Sequence, residues 1–305
     1  MNIDHAAQST GDRVWRMFVI AAPYTWLLIF FLIPFLFVFK ISFADPIIGQ
    51  PPFTPLFNTS GHGGGMIHLT LDNYRYLFKD DLYVLSYLKS LQIALVATIL
   101  CLLVGYPMAY GIARARQPYR NLLLLLVILP FWTSFLLRVY AWMGLLGKYG
   151  TINEILLWSG IIHKPLRLLY TDFAVYLGIV YSYLPFMILP LYANLERLDI
   201  DLHEAAADLG GRPFTVFRDV TLPLSMPGII AGSLLVFIPA IGEFVIPELL
   251  GGLNTVMIGR TLFNEFFFNR DWPVSSAVAT LLLLILVVPI MIFQRYQVKE
   301  GTAGE

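Results

Sequence analysis

The residues able to do chemistry in this chain are charges and rings set among apolar neighbours. Glu243 and Glu248 stand in the run Ile238-Pro239-Ala240-Ile241-Gly242-Glu243-Phe244-Val245-Ile246-Pro247-Glu248, and Arg138 follows Trp132 in another apolar run. A charge at the centre of a membrane span costs about 2.5–3.5 kcal/mol on insertion scales, so each must face a polar cavity or a partner. Two readings of Glu243 stay open: it pairs with Arg138 within the membrane, or it attracts a substrate cation. Glu248 then lies nearer the mouth of a path, where solvation is its ordinary state. Tyr181, Tyr183 and Trp132 lie deep in their runs. Packing is the usual work of such rings, and an aromatic-lined path also suits an organic ammonium through cation–π attraction. Hydrolytic chemistry has little footing. Ser134, Ser182 and Ser233 lie in apolar runs, whereas His5, His62, His68, His163 and His203 all lie outside them. No spacing indicates a metal site.

The second concentration of function is polar. Glu196–Gly228 is the longest polar interruption in the C-terminal half of the chain. Asp199 or Asp201 can cap a helix beginning at Leu202, because a short side-chain acceptor satisfies free N–H groups of a first turn. Leu202, Ala205, Ala206 and Leu209 recur at helical spacing as a narrow apolar face, with Asp201, Glu204 and Asp208 on another. Gly210-Gly211 ends that helix. Pro213 suits the first turn of a second helix, which Pro223 is expected to stop. Ala205 and Ala206 leave room for another surface to approach the backbone, with Phe214 and Phe217 as apolar anchors beside it.

These residues must be held by membrane helices. The chain has 305 residues, 58% hydrophobic and 13% charged, with zero formal net charge, and its mean hydropathy is +0.72. That composition is of an all-α integral membrane protein and gives no argument for nucleic acid. Cys101 is the single cysteine, so no disulfide forms within the chain, and a small buried hydrophobe is its expected role. A span needs about 20 apolar residues. Spans are predicted near Met17–Phe39, Leu85–Ile112, Leu122–Leu146, Phe173–Leu195, Gly228–Leu250 and Val274–Phe293. The N-terminal residues show no cleavable signal pattern, and the first apolar run is long enough to stay as a span.

Six spans put both termini on one side. Basic residues favour the side holding Arg114, Arg116 and Arg120, the 196–227 loop and the two tails, which is therefore read as cytoplasmic. Residues 1–16 and 294–305 are then cytoplasmic tails, 40–84 an outer loop, and 85–293 the five-helix transport domain. The Gly61-His62-Gly63-Gly64-Gly65 stretch is an ordinary loop, since no Gly-Lys-Ser or Gly-Lys-Thr follows it. Pro239, Glu243 and Pro247, four residues apart, are expected on one face of a single kinked helix. At about 1.5 Å per residue, Glu243 and Arg138 reach similar depths on straight spans. Phe263–Asp271, with Glu265 and Asp271 beside aromatics, is read as an interfacial segment.

Glu204-Ala205-Ala206, Gly210 after three residues, and Val220, Leu222 and Pro223 beyond nine more resemble the E-A-A-x3-G-x9-I-x-L-P loop of bacterial ABC importer permeases. Val220 stands where that pattern has isoleucine. Leu122–Trp142, Gly242–Gly252 and Asn269–Ala277 look like the polyamine branch, with the putrescine permease the nearest likeness. The resemblance implies a type I ABC importer permease fold with six transmembrane helices in the bacterial inner membrane. Its implied partners are a homologous second permease, two copies of an ATPase docking on the Glu204 loops, and a periplasmic polyamine-binding protein. ATP and magnesium would belong to the ATPase. This chain has no Walker A sequence and is expected to bind no cofactor and to be no enzyme. Spermidine or another cation is the alternative cargo. A stand-alone secondary transporter would have no need of the Glu204–Pro223 spacing.

Overall fold

The computed structural model describes residues 4–55 and 69–303, so the Gly61–Gly65 stretch lies outside the described residues. Helices dominate, and among the described residues the only strand-like pairing is an isolated bridge between Pro46 and Phe53. Four helices are long and apolar enough to cross a membrane: Trp15–Ile41, Asp81–Arg114, Asp172–Leu195 and Trp272–Met291. Two more spans are available if bent pairs count as one each, Gln117–Trp132 with Phe135–Trp158 (91°) and Pro213–Leu224 with Met226–Ile241 (65°). The all-α, six-span expectation is met on that count, but two of the spans are not single straight helices. The helices run past the predicted tail boundaries, beginning at Asp4 and ending at Ala303.

The chain divides into two compact units, 80–264 with 282–305, and 1–79 with 265–281. The larger is built on Asp81–Arg114, Asp172–Leu195 and Met226–Ile241, which pack on one another. Small residues make this packing close: Ala94, Ala97, Cys101 and Ala109 are fully buried on the first of these helices. Hydrocarbon offers no hydrophobic drive between helices, so small side chains that let backbones approach supply the attraction instead. Cys101 is buried as expected, its Sγ 3.7 Å from the Val180 carbonyl. Gly228 and Gly232 carry the same logic on Met226–Ile241. A Cβ on Gly232 would sit 2.9 Å from Met187 Sδ, and one on Gly228 2.8 Å from Asn194 Cβ.

Both broken spans have local causes. Pro130 has no N–H to give, and the chain around it tightens into a 3-10 turn, Leu129–Trp132. Thr133 and Ser134 then turn extended, and the Thr133 hydroxyl donates to the Pro130 carbonyl at 2.8 Å. At the other break, Pro223 does not stop its helix as predicted. The turn before it widens to π geometry, Phe217–Thr221, with Leu222 N–H reaching the Phe217 carbonyl. The 65° bend falls at Ser225 instead, whose hydroxyl meets the Leu222 carbonyl at 2.9 Å and the Tyr106 hydroxyl at 2.8 Å.

In the smaller unit Trp15–Ile41 has none of its most apolar window buried. A π turn at Leu28–Leu32 interrupts it just before Pro34. Asn73 ties the following segment down by donating to the carbonyls of Ser42 (3.0 Å) and Ala44 (2.8 Å).

Candidate functional site

A cleft of about 520 Å³ in the larger unit brings several of the anticipated residues together. Arg138 and Glu243 line it with Tyr183, Ser182 and the rings of Phe131, Phe135, Phe186 and Phe244. The backbone around Glu243 departs from the single kinked helix predicted. Met226–Ile241 ends at Gly242, and a fresh helix, Val245–Leu250, begins three residues later. Pro247 falls in the first turn of that new helix, where no backbone N–H is needed. The free N–H groups there are met by Glu243 itself, whose Oε1 accepts from Val245 N–H (3.0 Å) and Ile246 N–H (3.3 Å). Its Oε2 accepts from the Tyr183 hydroxyl at 2.5 Å. Only 7% of Glu243 is exposed. Arg138 and Glu243 meet in one cleft although the breaks keep their spans from running straight as expected.

Arg138 and Glu243 form no ion pair among the described residues. The Arg138 guanidinium lies over Phe131 (5.6 Å) and Phe135 (5.7 Å), and its Nε and Nη1 are buried with no hydrogen-bond partner. Other anticipated pathway residues lie elsewhere. Trp132 is 77% exposed, and Tyr181 meets Trp142 edge-on at 5.4 Å. Glu248 is not simply solvated: Arg260 Nε reaches its carboxylate at 2.5 Å. Sequence reasoning missed that pair, and missed Lys89 with Asp172 at 2.7 Å, where Thr255 also donates at 2.6 Å. Lys89 sat visibly in an apolar run, a signal that could have prompted a search for its counter-charge.

Around the Glu204 loop, Asp199 is the cap, accepting from Asp201 N–H at 3.1 Å, so the helix begins at Ile200 and runs to Asp208. Gly210 takes φ +84°, the left-handed C-terminal conformation open to glycine. Pro213 starts the next helix as expected. Ala206 and His203 are half-buried, while Glu204 and Ala205 are exposed. Leu209 is 90% exposed and Phe214 73%. Phe217 turns inward and meets Tyr106 edge-on at 5.6 Å. Thr221 is buried and Val220 and Leu222 are half-buried.

His203 holds the loop helix to its surroundings. Its Nδ1 lies 3.2 Å from the Asp199 carbonyl, and its Nε2 lies 2.9 Å from Thr221 Oγ1. A carbonyl only accepts, which assigns the proton to Nδ1 and leaves Nε2 to accept. Arg114 Nη2, at the end of the second span, is 3.1 Å from that Nε2. Arg120 pairs with Glu196 at 2.8 Å on the same side.

In the smaller unit, Glu265 and Asp271 act within the chain. Glu265 accepts from Asn269 Nδ2 at 2.9 Å, and Asp271 Oδ1 caps the last helix by accepting from Val274 N–H at 3.0 Å. Burial pushes the Asp271 carboxyl above its usual range, with Glu265 adding to the rise and the Val274 bond opposing it.

Helical spans broken around an aromatic cleft that holds two opposite charges, with an exposed helix–turn–helix between two of them, define a membrane transport component. Residues 101–300 match the family described as binding-protein-dependent transport system inner membrane component, and the chain belongs to it. It is 42% identical over 284 residues, 93% of this chain and 94% of the relative, to the spermidine/putrescine transport system permease protein PotB of Haemophilus influenzae. It is 44% identical over 226 residues to PotB of Escherichia coli K12, covering 74% of this chain and 82% of that one. Those names pair spermidine with putrescine and rank neither. The inner membrane ABC transporter permease protein YdcU of the same strain is 35% identical over 239 residues, 74% of this chain and 75% of that one.

The fold also matches a bacterial ABC transporter involved in import of the acidic polysaccharide alginate. The TM-score is 0.64 at 17% identity, over 95% of this chain and 99% of that chain. A second structure of a bacterial alginate transporter, in complex with an alginate pentasaccharide-bound periplasmic protein, matches with a TM-score of 0.65 at 17% identity, over 93% and 94%. At that identity the likeness is one of fold, and the importer permease fold expected from the sequence is borne out.

Proposed function

We propose that this chain is the permease subunit of an ATP-driven importer of polyamines, moving spermidine or putrescine inward by alternating access. The names of its relatives weigh spermidine at least as heavily as putrescine, so putrescine first is a reading and both are candidate cargoes. Glu243 in a cleft lined by five aromatic rings, Tyr183 among them, supports a cationic organic substrate, because ring faces and a carboxylate both favour an ammonium. The rest of the machine is proposed with it: a homologous second permease, two ATPase copies that carry ATP and magnesium, and a periplasmic polyamine-binding protein. Both termini and the Glu204 loop face the cytoplasm on this reading.

The observation that carries the coupling is the exposure of Leu209 and Phe214 on a loop that His203 pins to Asp199 and Thr221. Apolar side chains left bare on a folded, capped helix–turn–helix are what a docking groove covers. ATPase closure moves the permease only if docking differs in free energy between the inward and outward states. Labelled spermidine and putrescine uptake in cells lacking only this chain, and lacking any other polyamine importer, tests the reading. Loss of both, restored by the gene, supports it; unchanged uptake of both refutes the substrate class.

A further inference from the structure

Two loops meet at the Asp172 end of the span Asp172–Leu195, the end away from the Glu204 loop. One follows the helix Phe135–Leu146 and carries Lys148; the other precedes Asp172 and carries Arg167. Asn153, fully buried, staples them together. Its amide nitrogen donates to the carbonyls of Gly147 (3.1 Å) and Leu166 (3.0 Å), and its oxygen accepts from Leu166 N–H at 2.9 Å. The second loop is fixed again at its far end. Tyr170 takes φ +60°, a conformation uncommon outside glycine, and its carbonyl packs against Gly252, where a Cβ would fall 2.7 Å from that oxygen. The two loops line a pocket of about 360 Å³ that sets Lys148 and Arg167 beside Leu146, Pro165 and Leu168. Both cations are exposed, and neither forms an ion pair among the described residues. Lys148 Nζ has the Tyr149 ring at 5.5 Å, which attracts it but offers no lone pair to its N–H groups.

We propose that this pocket binds an anionic phospholipid of the outer leaflet, with Lys148 and Arg167 on the headgroup phosphate and the leucines against its apolar part. The proposal rests on the reading above in one respect, that the Glu204 loop faces the cytoplasm, which turns this end outward. On that reading the charge needs a reason. Basic residues concentrate on the cytoplasmic side of membrane proteins, yet residues 147–171 carry Lys148, Lys164 and Arg167 against the single acid Glu154. A lipid phosphate supplies the missing anion at the right depth, since both cations stand close to the ends of membrane helices. It also brings the oxygen lone pairs that two donors without acceptors call for. The surroundings suit the headgroup layer: Tyr149, Trp158 and Ile161 are exposed, and Trp and Tyr are enriched at that depth. A polyamine does not fit, because its ammonium groups are donors only and repel both cations. An acidic patch on a soluble partner would meet the charges but leave Trp158 and Ile161 without an apolar phase.

The test uses the complete transporter containing the full chain, in phosphatidylethanolamine vesicles with a trace of phosphatidylglycerol that carries a photoreactive group beside its phosphate. Peptides from 147–171 should take the label. Unlabelled phosphatidylglycerol should compete it away, and unlabelled phosphatidylethanolamine should not. Lys148→Gln with Arg167→Gln should cut the labelling by about 25-fold, at about fivefold for each charge removed. Equal competition by the two lipids, or labelling unchanged in the double variant, overturns the proposal. Loss of the label to inorganic phosphate overturns it in favour of a soluble phosphate site. Unchanged lipid labelling with weaker stimulation of ATP hydrolysis by the periplasmic binding protein overturns it in favour of an acidic protein surface. If the double variant fails to assemble, the competition between the two lipids on the native chain decides. Sidedness is read separately, by the side from which a membrane-impermeant thiol reagent labels Tyr149→Cys. Labelling from the cytoplasmic side refutes the orientation, and with it the outer leaflet, while the charge-dependent lipid label still stands.

Discussion

Glu243→Gln separates the two jobs a carboxylate can do in the cleft. As a cap, Glu243 accepts two backbone N–H groups through one oxygen and the Tyr183 hydroxyl through the other. Gln keeps one oxygen for the two N–H groups and turns its NH2 toward Tyr183, which can accept. What is lost is charge assistance, about 1 kcal/mol per bond and so about 2–3 kcal/mol in all. Glu243→Ala instead strands three donors at about 1–3 kcal/mol each, a large share of a folded stability of about 5–15 kcal/mol. Gln should therefore accumulate in the membrane near the native level, and Ala should not. Transport is where Gln should fail. A substrate ammonium at roughly 6 Å from the carboxylate gains about 3 kcal/mol at an effective dielectric of about 20, and losing that costs about 100-fold in affinity. The assay is uptake of labelled spermidine at a concentration well below saturation, normalised to membrane abundance by immunoblot. Uptake by the Gln variant within about twofold of native would refute the substrate role and leave Glu243 as a helix cap.

Other variants probe the loop and the helix packing. Glu204→Lys should abolish uptake while leaving the chain in the membrane, read by uptake and immunoblot together, because it reverses charge on an exposed docking surface. His203→Gln should keep most of the coupling, since its amide reaches towards Thr221. His203→Asn, which reaches only the Asp199 carbonyl, should leave ATP hydrolysis while lowering polyamine moved per ATP by about threefold or more, worth at least about 0.7 kcal/mol of coupling. A native ratio for both variants would show that His203 transmits nothing. Gly232→Val should destabilise the larger unit by about 1–3 kcal/mol or more, since added carbons meet Met187, where a Cβ already falls 2.9 Å from its sulfur. Thermal denaturation in detergent, reading loss of the monodisperse peak, checks it.

The loop was legible in the sequence because its determinants are local. Asp199, Gly210 and Pro213 each act on backbone within a few residues, so cap, turn and second helix follow from residue type and order. The breaks in the spans were partly legible. Prolines at 130, 223, 239 and 247 were visible, yet a proline in a membrane helix can kink, stop or be absorbed by a widened turn. At Pro223 the π turn absorbed it, and the bend fell at Ser225 beside Tyr106, over a hundred residues earlier in the chain. Gly242-Glu243 followed by Pro247 could have been read as a stop, a cap and a first-turn proline. The regular four-residue spacing favoured one helix face instead. Tyr183 as a donor to Glu243, Arg260 with Glu248, and Lys89 with Asp172 needed the packing, since no periodicity fixes which distant helix supplies a partner.

The most direct measurement is a joint one, of ATP hydrolysis and labelled polyamine uptake in proteoliposomes holding the complete transporter, with the native chain or the Glu204→Lys variant. With the native chain, spermidine or putrescine should accumulate inside only when ATP is on the ATPase side, and the variant should hydrolyse ATP without accumulating either. Accumulation of polyamine without ATP, or undiminished accumulation by the variant, would contradict an ATPase-coupled permease acting through this loop.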